Sequence, residues 1–77
     1  MDISEKTAKE IYEKLKDKLE HYSEMAVNSA DGLYYVEITY NGMLYSTELS
    51  ILVSTAKEYK ASCYIDNDAN ILTATIH

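Results

Sequence analysis

The stretch YNGMLYSTELSILVSTAKE, residues 40–58, decides the fold of this 77-residue chain. Asn41-Gly42 is a strong signal for a two-residue hairpin turn, because a type I′ turn needs positive φ at both central residues. That turn sets Tyr40 opposite Met43, Ile38 opposite Tyr45, Val36 opposite Thr47 and Tyr34 opposite Leu49. One face then holds Tyr34, Val36, Ile38, Tyr40, Met43, Tyr45 and Leu49, continuing to Ile51 and Val53. The other holds Leu33, Tyr35, Glu37, Thr39, Leu44, Ser46, Glu48 and Ser50. A competing period runs through the same residues. Leu49, Leu52, Val53, Ala56, Tyr59 and Cys63 make a helical stripe. Ile51, Val53 and Thr55 prefer strands, and Ser50 and Ser54 add little to a helix. The favoured reading is a strand to about Val53 and a turn or short helical turn at Thr55–Glu58. The alternative places a second helix around residues 48–60, giving an α-β-β-α-β-β order.

Upstream, Ala8, Ile11, Tyr12, Leu15, Leu19, Tyr22 and Ala26 recur at spacings of three and four, which predicts one amphipathic helix over about residues 3–28. Its charged residues fall on the opposite face, with Glu5–Lys9 and Glu10–Lys14 as favourable i,i+4 pairs. Asp2 or Ser4 can cap its start, and NSADG (28–32) closes it, with Asn28 or Gly32 free to take positive φ. Downstream, EYKASCYID and ILTATIH flank a loop at 67–70. Ile65 then opposes Leu72, Cys63 opposes Ala74 and Ala61 opposes Ile76, all apolar and on one side. The expected architecture is a single α+β domain over 1–77, one long N-terminal helix packed on a four-stranded antiparallel β-meander.

Composition narrows the function. The net charge is −6, with thirteen acids against seven lysines and no arginine. Arginine supplies the planar fork that grips phosphate and guanine edges, so an acidic chain without it is not expected to bind nucleic acid directly. An acidic surface instead steers cationic partners. Residues 31–77 hold six acids and only Lys57 and Lys60. The start of the chain is charged and has no apolar h-region, no run is long enough to span a bilayer, and Cys63 is the single cysteine; a cytoplasmic protein without membrane contact is expected. Eight tyrosines with no Phe or Trp are too many to bury in so small a core, so some are expected to face solvent or a partner.

Chemistry-bearing motifs are sparse. Asp66, Asp68 and Asn70 alternate as the first three ligands of an EF-hand loop do, but Ile71 stands in the glycine slot and the chain reaches His77 where the bidentate Glu belongs. Asp and Asn are also ordinary turn formers, so the stretch is read as a hairpin loop and no metal or other cofactor is expected. Cys63 is patterned into the core. His21 falls on the helix beside Asp17, and His77 is expected to fray, so neither is set to activate that thiol. An enzyme is not expected.

The uncovered sheet face is the expected interaction surface. It would carry Leu33, Tyr35, Leu44, Leu52, Tyr64 and Ile71 among Glu37, Glu48 and Asp66. The reading is a non-enzymatic acidic binding protein engaging a basic protein partner, such as a nucleic-acid-binding protein. Glu37, Glu48, Asp66 and Asp68 would stand in for phosphates, and Tyr35 and Tyr64 would supply anchoring area. In size and charge the chain is similar to small phage-encoded inhibitors of host defence nucleases, anti-CRISPR proteins among them. That likeness implies a DNA-mimic mechanism. The rival reading is a small homo-oligomeric assembly domain, a homodimer for example, joined through the open face or an edge strand. Calcium is expected to leave the thermal unfolding midpoint unmoved, and a large rise at micromolar calcium would overturn the turn reading of 66–70.

Overall fold

The computed structural model describes residues 3–77. It contains a helix α1 (Glu5–Lys18), strands β1 (Glu24–Ala30) and β2 (Leu33–Asn41), a helix α2 (Ser46–Glu58), and strands β3 (Cys63–Asp68) and β4 (Ile71–Ile76). The fold is α+β with a four-stranded antiparallel sheet in the order β1-β2-β4-β3. It is therefore not a pure meander. The α2 crossover carries the chain from β2 past the place of β4 to β3, and β4 returns to fill the gap. The helical alternative for residues 48–60 is the one that forms.

Helix α1 starts as the sequence suggests. The Ser4 side chain accepts from the Thr7 amide; the other candidate cap, Asp2, lies outside the described residues. The helix ends at Lys18, ten residues short of the expected stop, with Leu19 already extended at φ −91° and ψ 143°. Residues 24–30 form β1 instead. Asp31 and Gly32 take φ values of 53° and 80°, so Asp31-Gly32 is the two-residue turn with positive φ at both positions, and it pairs Ala30 with Leu33 and Val27 with Val36. Over a window this short, Tyr22 and Ala26 fit the helical period while Met25 and Val27 fit the alternating one, and strand pairing settles the competition. Asn41-Gly42, read as the hairpin, is a chain exit. Gly42 has φ 100° and its amide bonds the Asn70 carbonyl at 2.7 Å, while the following residues turn into α2. Met43, Tyr45, Leu49 and Val53, expected to face the core on a strand, are exposed.

The second hairpin forms two residues out of the expected register. Ala69 and Asn70, at φ 49° and 70°, make the turn, and Cys63 pairs with Ile76, Ile65 with Ala74 and Asn67 with Leu72. A slip of two preserves the faces, so the apolar side remains apolar. Helix α2 ends in a Schellman-type cap. The Ala61 amide reaches the Ala56 carbonyl at 2.8 Å, the Lys60 amide reaches Lys57, and Lys60 takes φ 56°.

One core joins these elements. Ala8, Ile11 and Leu15 of α1 and Leu52 and Ala56 of α2 pack on Val36, Ile38 and Tyr40 of β2 and Ala74 and Ile76 of β4. Both helices thus cover the same sheet face. Burying each large side chain contributes about 1.5–3 kcal/mol. The Asp31-Gly32 turn is what converts 24–30 from helix to strand. Gly32 has open space around its Cβ position, so only its positive φ resists substitution. Gly32→Val should destabilise by about 1–3 kcal/mol, read from chemical-denaturation midpoints; an unchanged midpoint would mean the turn is misplaced.

Candidate functional site

The face turned away from the helices is built by strand register. Ala26, Glu37, Thr75 and Tyr64 form one row across the four strands, and Glu24, Thr39, Thr73 and Asp66 form the next. Asn41, Ile71 and Asp68 continue beyond them, and Asn28 and Tyr35 flank the other side. Neighbouring strands lie about 4.8 Å apart and alternate residues about 7 Å apart. Glu37 and Tyr64 are thus roughly 10 Å from each other, two strands away. Tyr64 is 60% exposed, and Leu33 and Ile71 are exposed toward opposite ends of the same face. Asp66 and Asp68 are exposed, while Tyr35 and Glu37 are half-buried. A shallow depression of about 450 Å³, lined by Asp31, Leu33, Tyr34, Tyr35, Glu37, Thr75 and His77 among others, opens at one end.

Charge is segregated between the two layers. Every lysine lies in α1, in α2 or at Lys60 after it, and the strands hold none. The sheet and its first turn carry Glu24, Asp31, Glu37, Asp66 and Asp68. The eight acids elsewhere nearly balance the seven lysines, so most of the net charge of −6 resides on the sheet. Several helical lysines have local partners. Lys9 pairs with Glu5 at 3.5 Å, and Lys14 pairs with Glu58 and lies 5.7 Å from the Tyr59 ring centre. The Glu58 bond raises the Lys14 ammonium above its ordinary pKa and lowers that of Glu58.

Tyr35, Glu37, Tyr64, Asp66 and Asp68 therefore share one face. Glu48 does not. It sits in the first turn of α2, 4% exposed, and has no part in the open surface. Its Oε2 accepts from the Glu20 and His21 amides, both at 3.0 Å, and from His21 Nδ1 at 2.7 Å; its Oε1 accepts from the Tyr40 hydroxyl at 2.9 Å. Burial pushes the Glu48 pKa up, but the bonds from the Glu20 amide, the His21 ring, the Tyr40 hydroxyl and the His21 amide together hold it below the ordinary value. Tyr40, wholly buried, has its phenol pKa raised by burial first and by the Glu48 bond second. Leu44 and Leu52, also expected on the open face, pack with the core.

The other candidates are placed plainly. His21 lies beyond α1, not on it, and its ring centre is 4.5 Å from that of Tyr45, the two planes tilted by 60°. His77 is held by reciprocal backbone bonds with Ser62 at 2.8 and 3.0 Å and is not frayed in this structure. Burial raises the pKa of Cys63, which makes its thiol less nucleophilic. Asp66 and Asp68 project from a strand and Asn70 sits in the turn; among the described residues no three His, Cys, Asp or Glu side chains converge as ligands. No helix among the described residues is long and apolar enough to cross a membrane. Sequence reading missed Glu24 and Asp31 as members of the acidic surface. The signal for both was Asp31-Gly32 following the alternation of Met25 and Val27. The Glu48 cluster had no local signal, since its loop partners lie 27 and 28 residues away.

Comparison with family models, curated proteins and solved structures found no match to this chain.

The buried carboxylate gives a pH-dependent expectation. Glu48 is lowered below its ordinary pKa of 4.5 on folding. Its contribution is therefore whole above that value and is lost as pH falls through the lower, folded one. Glu48→Leu, which leaves the Tyr40 hydroxyl and two amides unanswered, should cost about 3–5 kcal/mol at neutral pH. Glu48→Gln, which keeps the shape, should cost about 1–2 kcal/mol. The gap between the Glu48→Gln variant and the native protein should narrow in acid, as measured by urea unfolding at pH 7 and pH 3.

Proposed function

We propose that the chain is a non-enzymatic binding protein whose open sheet face engages a basic, nucleic-acid-binding protein in place of nucleic acid. The observation that carries this reading is the segregation of charge. The only charged side chains on the strands are acids, and tyrosines stand among them. Glu37, Asp66 and Asp68, with Glu24 and Asp31, take the part of phosphates; Tyr35 and Tyr64 supply amphipathic contact area at small entropic cost. Uncompensated acids on one face repel one another, and a cationic partner relieves that repulsion. Partner charges that meet the rim act mainly on association rate, so binding should weaken as salt rises. The proposal matches the phage-type inhibitor, DNA-mimic reading of the sequence, with Glu48 removed from the contact set.

Competition tests it. The chain is titrated into complexes of duplex DNA with a panel of basic DNA-binding nucleases, RNA-guided ones included. Displacement of DNA from at least one, weakening with added salt, is expected. Glu37→Lys with Asp66→Lys should weaken competition at least about tenfold, whereas Glu10→Lys with Asp17→Lys on α1 should leave it nearly unchanged. Failure across the panel, or equal competition by the sheet variant, would overturn the reading.

A further inference from the structure

We infer that the outer edge of β1 pairs with β1 of a second copy of this chain, antiparallel about a twofold axis at Val27, to make one continuous eight-stranded sheet. Three observations converge there.

The first is backbone parity. In a two-residue hairpin the pair flanking the turn is the hydrogen-bonded one, and bonded pairs then alternate. Ala30–Leu33 flanks the Asp31-Gly32 turn, so Asn28 and Ala26 also bond inward to β2. The amides and carbonyls of Met25, Val27 and Ser29 point outward, where the sheet order leaves β1 with no neighbour among the described residues. An axis at Val27 opposes Val27 to its own copy and Met25 to Ser29 of the copy. Every outward donor and acceptor of those three residues then has a partner.

The second is charge. In that register Glu24 meets Ala30 of the copy, and Ala26 meets Asn28, so no like charges are opposed. β1 also lacks the usual devices against edge pairing, having no lysine and no proline. The opposite edge behaves differently. β3 reads CYIDND; self-pairing about Asn67 would oppose Asp66 to Asp68, and about Ile65 would leave the two Asp66 side chains on diagonal positions of one face.

The third is the groove beside the edge. α1 does not reach the rim of the sheet, and a depression of about 490 Å³ is left between them, lined by Lys9, Tyr12, Glu13, Met25, Ala26 and Val27. Its floor is apolar, and its rim carries one cation and one anion on adjacent turns of α1. A twofold axis at Val27 brings two such grooves together. It sets Lys9 of one copy toward Glu13 of the other, so the rim is complementary to itself. The Met25 and Val27 side chains, half-buried in one copy, become interior.

Light scattering with size exclusion tests the pairing over a micromolar-to-millimolar dilution series. A mass twice the 8.8 kDa of the chain is expected at the upper end. Added salt should strengthen this dimer, since it screens two chains of −6. Binding of a cationic partner responds in the opposite sense, so the two proposals fail separately. Ser29→Pro removes an outward amide only and is compatible with an edge strand; Met25→Lys sets a charge beside the axis. Each should lower the association constant at least about tenfold with an unchanged circular dichroism spectrum. Asn67→Pro, at the β3 edge, should leave the dimer intact. An isotope-filtered NMR contact between the Val27 side chains of two copies reads the register. A native protein monomeric throughout the series, a Ser29→Pro variant as dimeric as the native one, or a dimer lost only in Asn67→Pro would overturn the inference.

Discussion

The Glu48 carboxylate is the joint on which the arrangement of elements depends. It lies in the first turn of a helix, satisfies the amides of the loop that leaves α1, holds the His21 ring and closes the hydroxyl of the largest buried side chain, Tyr40. One anion thus fastens the start of α2 to the end of α1 and to β2. An acid near a helix N-terminus is favoured by the backbone dipole. Here the same charge also gives two part-buried loop amides their partner. With this joint made, α2 is fixed over the sheet, and the opposite face is left to the acids and tyrosines of the strands.

The two layers consequently differ in electrostatic character. In the helical layer acids and lysines neutralise one another through short-range pairs such as Glu5–Lys9 and Lys14–Glu58. In the sheet layer the threonines at 39, 73 and 75 separate acids that have no cation among them. The arrangement costs some stability through repulsion and concentrates the field on one side of a small molecule. The proposed cationic partner and the proposed pairing at β1 use different parts of that layer, its face and its rim.

Much of this was legible in the sequence. The α1 stripe from Ala8 to Leu15, the inward set Val36, Ile38 and Tyr40, and the faces of the second hairpin follow from periodicity alone. Two turn signals of equal strength, Asp31-Gly32 and Asn41-Gly42, were not separable locally. Choosing the second as the hairpin turned β1 into helix and α2 into strand. What distinguishes them is non-local: only the first sets Met25 and Val27 opposite Ile38 and Val36 over a shared core. Glu48 was misplaced for the same reason. On a strand its alternation put it outside, whereas the helix carries it inward to partners remote in sequence. Tyr35, Glu37, Tyr64, Asp66 and Asp68 still share a face because they lie on strands whose phase follows from alternation.

The crossover order of the sheet gives its last strand an architectural weight out of proportion to its length. Among the described residues β4 alone joins the β1-β2 hairpin to β3, with no other ladder between the two halves. Ile71–Ile76 is therefore a keystone and not a margin. Losing it would not trim the sheet but divide it, exposing one side of β2 and one side of β3 at once. Those are unpaired, partly apolar strands of the kind that associate promiscuously, so the solubility of the fold rests on these six strand residues staying in place.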